Sequence, residues 1–127
     1  MAKVVIDASA LLAYVNGEPG ADKVEGVLGA AMISAVNLAE AATKLALHRG
    51  MPDRTLAELT EAELAVIDFD RPLAEATGAL ALLTRAQGLS LGDRACLALA
   101  KREGAIALTA DKIWSELRVG VDIQLIR

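Results

Sequence analysis

The chain has 127 residues, 54% hydrophobic, 2% aromatic and 24% charged, which fits one domain with a single real core and excludes wholesale disorder. Its net charge of −4 excludes the general basic surface of a non-specific nucleic-acid binder, so a polyanionic partner would need a bound cation or a local basic patch. The longest uncharged run, 26–39, is shorter than the roughly 20 residues that span a bilayer.

In chain order, residues 3–7 are a short β-branched run that reads as a strand. Residues 9–16 read as a helix with Leu11, Leu12 and Val15 on one face, stopped by Gly17-Glu18-Pro19-Gly20. A second helix over 21–28 leads to a brief buried strand at 31–34. A helix over 36–48 closes at His48-Arg49-Gly50, with Pro52 just beyond. Pro52-Asp53 opens a helix to about 64, and 65–69 is a strand. Asp70 caps a helix with Pro72 in its first turn, lasting to Gln87-Gly88. Ser90-Leu91-Gly92-Asp93 opens a helix over 94–103, then come a strand at 105–109, a turn at 110–112 and an edge strand at 121–125.

Strands bridged by helices imply βαβ units and a mostly parallel sheet. The strands are near-continuous apolar runs, as expected when helices cover both faces. No repeat, linker or low-complexity tract divides the chain, so 1–127 reads as one domain. Asp7 interrupts the N-terminal apolar run, which leaves no secretory core, and a lone Cys96 allows neither an internal disulfide nor a thiolate metal site. A cytoplasmic protein is expected.

In open α/β sheets ligands bind outside the carboxyl ends of the strands. Asp7 ends the first strand, Asp111 lies just past the strand ending at Thr109, Glu40 sits about a turn into the helix after the 31–34 strand, and Asp93 begins a helix. Each therefore falls on one rim. Like charges raise one another's pKa, and burial adds to that. A hard cation such as Mg²⁺ or Mn²⁺ reverses the balance, because it takes oxygen ligands, activates water and anchors phosphate against an acidic wall. Each acid also has a plain structural reading. Asp7 would N-cap the next helix, Glu40 would pair with Lys44 at i+4, Asp93 would be a first-turn acid and Asp111 a turn residue.

Four segments, Val4-Val5-Ile6-Asp7-Ala8-Ser9-Ala10, Ile33-Ser34-Ala35-Val36-Asn37-Leu38-Ala39-Glu40, Leu89-Ser90-Leu91-Gly92-Asp93-Arg94-Ala95 and Leu108-Thr109-Ala110-Asp111-Lys112-Ile113-Trp114, together resemble the PIN domain family, and within it the VapC-type toxins of toxin–antitoxin pairs. The resemblance implies a three-layer α/β/α sandwich with a mostly parallel central sheet and an Mg²⁺- or Mn²⁺-dependent endoribonuclease. It places the family's catalytic and metal-binding quartet on Asp7, Glu40, Asp93 and Asp111. Ser9 and Thr109 match hydroxyl positions that orient acids or metal waters; helix capping and strand termination are the structural alternative. The partners implied are an RNA substrate, a cognate antitoxin and a second copy in a homodimer, with no membrane. Many relatives carry a further acid where this chain has Ile113, which implies one tight ion and one transient ion.

Arg94 and Lys112 adjoin proposed ligands and are candidates for RNA phosphate contacts, against a reading as solvated charge. Trp114 and Tyr14 could stack on unpaired bases, although core packing suits Trp114 better. His48, the only histidine, fits a helix C-cap, so no Ser–His hydrolase can form and the nucleophile falls to water. Cys96 reads as inert core. Leu11, Leu12, Val15 and Leu45 suit core packing or a dimer or antitoxin surface equally well. Two other functions remain open on the residues. A Mg²⁺-binding phosphoacceptor domain also clusters Asp at strand ends, but Asp7 is followed by Ala8-Ser9 rather than an acid, and no Lys ends the last strand. A catalytically silent interaction module would keep the fold without needing the four acids.

Overall fold

Five strands, β1 (Val4–Ile6), β2 (Ala31–Ser34), β3 (Ala65–Ile67), β4 (Ile106–Thr109) and β5 (Asp122–Leu125), pair in the order β3-β2-β1-β4-β5, all parallel. The structure is a computed structural model that describes residues 3–49 and 54–127. Parallel neighbours need crossovers. These are supplied by α1 (Ala8–Asn16) and α2 (Ala21–Val27) after β1, α3 (Ala35–Arg49) and α4 (Thr55–Ala62) after β2, and α5 (Arg71–Leu83) and α6 (Leu91–Glu103) after β3. A 3₁₀ segment, Lys112–Glu116, links β4 to the edge strand β5.

Alternation along each strand sorts its side chains onto two faces. Val4, Ile6, Ala31, Ile33 and Leu108 pack into one core with residues of α1–α4. Val5, Met32 and Ala107 point the other way, into a second core with α5, α6 and Trp114. The result is the expected three-layer sandwich. Six consecutive residues of α6, Ala95 to Ala100, are buried, so this helix lies deepest and anchors the acid at its start. Among the described residues, no helix is long and apolar enough to cross a membrane.

Several boundaries differ from the sequence reading. The α6 helix starts at Leu91 rather than 94, because Ser90 and Asp93 form a reciprocal capping box. The α5 helix stops at Leu83 rather than reaching Gln87. The Thr84 hydroxyl donates back to the Leu80 carbonyl (2.9 Å), and the chain tightens into a 3₁₀ turn over Arg85–Gln87, closed by Gly88 at φ 64°. The expected strand at 65–69 ends at Ile67. The turn at 110–112 is the capped start of the 3₁₀ segment. The Pro52-Asp53 helix start falls outside the described residues.

Candidate active site

The chain moves from β1 outward to β2 and β3, then returns to lay β4 and β5 on the other side of β1. The strand order therefore reverses between β1 and β4, and in such sheets the ligand position lies outside the carboxyl ends at that reversal. Asp7 occupies it. Its N–H continues the ladder to the Leu108 carbonyl (3.2 Å), which fixes its backbone before its side chain does anything.

The Asp7 side chain is 4% exposed. Oδ1 accepts from the Ala10 N–H (2.8 Å) and the Ser9 hydroxyl (2.7 Å), and Oδ2 accepts from the Thr109 hydroxyl (2.6 Å). The N-cap of α1 is therefore present, on a carboxylate that sits at the reversal of the strand order. Burial pushes its pKa above the ordinary 3.8. The bonds from Thr109, Ala10 and Ser9 oppose the rise, and the Asp93 charge adds to it. The two hydroxyls also bind the loops together: Ser9 Oγ accepts from the Ala110 N–H (2.9 Å) and Thr109 Oγ1 from the Asp111 N–H (3.1 Å). Both expected hydroxyls therefore hold Asp7 in place.

Glu40 arrives from α3, half-buried. Its Oε1 accepts from Asn37 Nδ2 (2.9 Å), and the same nitrogen donates to the Gly92 carbonyl (3.0 Å). The carboxylate lies against Gly92, where a Cβ would collide with it. Asp93 follows on α6. Its Oδ2 accepts from the Ser90 N–H (3.0 Å), so the first-turn reading is correct for its hydrogen bonding. Asp7, Asp93 and Glu40 act on a common region: after burial itself, their charges in that order push up the pKa of the buried Cys96 thiol. Cys96 is an inert core thiol. Asp111 differs. It joins the network through its backbone, while its carboxylate is exposed and caps the 3₁₀ segment through the Ile113 N–H (3.1 Å).

Among the described residues, none of the four acids pairs with a Lys or Arg, so the alternative reading of Glu40 as the partner of Lys44 does not hold. Among the described residues, too, no three Asp, Glu, His or Cys side chains are gathered tightly enough to cage an ion. This donor set suits Mg²⁺ or Mn²⁺. These ions take oxygen ligands, and Mg²⁺ is held by one or two carboxylates while it keeps several waters. It does not suit a thiolate- or imidazole-bound ion. Cys96 is sealed in the core, and exposed His48 sits eight residues beyond Glu40 on α3, roughly 12 Å along the axis.

Of the remaining candidates, Lys112 is exposed beside Asp111. Arg94 is turned away from a solvated position, its Nη1 donating to the Thr77 carbonyl of α5 (2.9 Å), so it ties α5 to α6. Trp114 is 0% exposed, which removes base stacking as its role. Tyr14 packs partly buried against the first core, as do Leu12 and Val15, while Leu11 and Leu45 are inside it. Sequence reasoning missed Asn37 and Gly92. The i, i+3 spacing of Asn37 and Glu40 was a readable signal; the approach of Glu40 to Gly92 depends on how α3 docks on α6.

The PIN domain family model matches residues 4–120, and the chain belongs to this family. Its fold is similar to that of a toxin–antitoxin complex from Klebsiella pneumoniae (TM-score 0.76, 20% identity, 98% of each chain covered). It is also similar to DNA-bound VapBC from Salmonella typhimurium (0.75, 19%, 100% of each chain). A third similar fold is VapC20 of Mycobacterium tuberculosis, a sarcin-ricin loop cleaving toxin (0.71, 18%, 94% of this chain and 99% of that one). Among curated proteins, none matches the sequence.

Proposed function

We propose that this PIN domain is an endoribonuclease dependent on Mg²⁺ or Mn²⁺, the toxin of a toxin–antitoxin pair, with Asp7, Glu40, Asp93 and Asp111 as its acidic set. The observation that carries the reading is Asp7, a buried carboxylate at the sheet's reversal point, without a cationic partner among the described residues and under the charge of Asp93. A divalent cation bound there would supply positive charge to the scissile phosphate and activate water.

The chain's own residues prepare that place. Ser9 and Thr109 hold the Asp7 carboxylate in one orientation, leaving about one of its four acceptor positions for a ligand. Glu40 comes in beside Asp93, so the two supply oxygens from separate elements. Asp111 contributes from the rim, where Lys112 offers a charge to a backbone phosphate. With Ile113 two residues beyond Asp111, we place one ion firmly and a second only transiently. The fold neighbours from Klebsiella and Salmonella are toxin–antitoxin complexes, which supports a protein antitoxin as partner of this chain; a homodimer is part of the same reading. The phosphoacceptor alternative is weaker: Asp7 is followed by Ala8-Ser9 rather than a second acid, and β5 ends at Leu125 without a Lys.

The test is cleavage of structured and single-stranded RNA by the full chain. Cleavage is expected with Mg²⁺ or Mn²⁺ and should disappear in EDTA. Cleavage unchanged by EDTA would overturn the metal-dependent reading.

A further inference from the structure

We infer that Asn37 and Gly92 form a clamp that seats the Glu40 carboxylate against the first turn of α6, making them positioning residues for this site. The inference rests on reading Glu40 as a cation ligand. Three observations on two separate elements support it.

Asn37 is 1% exposed, a position that a residue kept for solubility would not occupy. Both hydrogens of its Nδ2 are used: one goes to Glu40 Oε1 (2.9 Å), the other to the Gly92 carbonyl (3.0 Å). Both partners accept only, which fixes the amide nitrogen on this side. Asn37 Oδ1 has no partner among the described residues, so the hydrogen bonding found for this buried amide goes to Glu40 on its own helix and to Gly92 on α6. A buried polar group is retained at a cost unless it does something specific.

Gly92 supplies the other half. It sits inside a helix with no left-handed φ, so its backbone does not require glycine. Space does: the three nearest atoms that an added Cβ would meet all belong to the Glu40 carboxylate. Glycine is a poor helix residue, and its presence at this point is explained by the carboxylate lying over it. Because Gly92 immediately precedes Asp93, seating Glu40 here also sets the spacing between the two acids.

The clamp is tested by Mn²⁺ binding to the full chain, read from the loss of the free-ion electron paramagnetic resonance signal, alongside thermal unfolding. The proteins compared are wild type, Gly92→Ala, Glu40→Gln and the double variant. Gly92→Ala should weaken Mn²⁺ binding by roughly 10-fold, the low end for residues that orient a ligand. Its Tm should equal or exceed that of wild type, because the clash falls on a movable side chain and alanine favours the helix. In the Glu40→Gln background the same substitution should change Mn²⁺ binding little, a non-additivity that a purely structural role would not give. Wild-type binding in Gly92→Ala, with binding weakened in Glu40→Gln, would overturn the clamp and leave the ligand set standing. Wild-type binding in Glu40→Gln would overturn the assignment of Glu40 and the clamp with it. Should Gly92→Ala fail to fold, Asn37→Ala carries the same comparison, releasing Glu40 without crowding it; equal affinity there would contradict the clamp.

Discussion

Asp7→Asn is expected to lower RNA cleavage by at least about 100-fold, since a lost ligand forfeits several kcal/mol of charge stabilisation, and yet to leave the fold as stable as wild type or more so. The two effects share one cause. Asparagine keeps the shape, still caps α1, and can still accept from Ala10, but it carries no charge. In the wild type, burial raises the Asp7 pKa above 3.8. Without a cation, a folded pKa above the unfolded one means that burying this carboxyl opposes folding at neutral pH. As pH falls through the raised folded value, the native state takes up the proton before the unfolded chain does, and the penalty fades; below the unfolded value it is gone. In EDTA, the Tm advantage of Asp7→Asn should be largest at neutral pH and should narrow as pH is lowered towards 3.8. A variant that is less stable than wild type at neutral pH in EDTA would show that Asp7 is a structural cap first.

The second large effect is stabilisation by the ion itself. A ligand that binds only the folded state at 100 times its Kd adds about 2.7 kcal/mol, and at this chain length each kcal/mol moves Tm by roughly 4 °C. Adding Mn²⁺ or Mg²⁺ to EDTA-treated protein should thus raise Tm by about 10 °C once the site is saturated. Potassium chloride at the same ionic strength should not, because screening weakens the mutual repulsion of surface charges without filling a coordination site. The increment should be lost in Asp7→Asn. A rise of equal size in that variant would place the ion elsewhere.

Much of this architecture was legible in the residues. The β-branched run ending in Asp7, the apolar strands and the Gly and Pro stops carry the β/α alternation, and the buried strands announce helices on both faces. Asp7 could be placed at a strand end because local pattern alone decides it. The Ser90-x-x-Asp93 box was also visible, and reading it would have started α6 at Leu91 rather than making Asp93 the opening residue. What the residues did not reveal depends on packing. Arg94 bonds to Thr77, seventeen positions away, and no spacing rule announces that. Glu40 reaches Gly92 only because α3 and α6 meet at the end of the sheet. Asp111 looked equivalent to Asp7, since both follow a parallel strand, but the turn after β4 spends its carboxylate on the Ile113 N–H. Trp114 suited the core better than a base on sequence alone, and the second apolar cluster closes over it.

The central claim is that a divalent ion binds Asp7 at the reversal between β1 and β4, with Glu40 or Asp93 as its second carboxylate. Anomalous scattering from a crystal of the full chain grown with Mn²⁺ tests it most directly. The account predicts a peak at coordination distance from Asp7, with Glu40 or Asp93 as the next protein oxygens. A peak on another part of the surface, or none at saturating Mn²⁺, would contradict it.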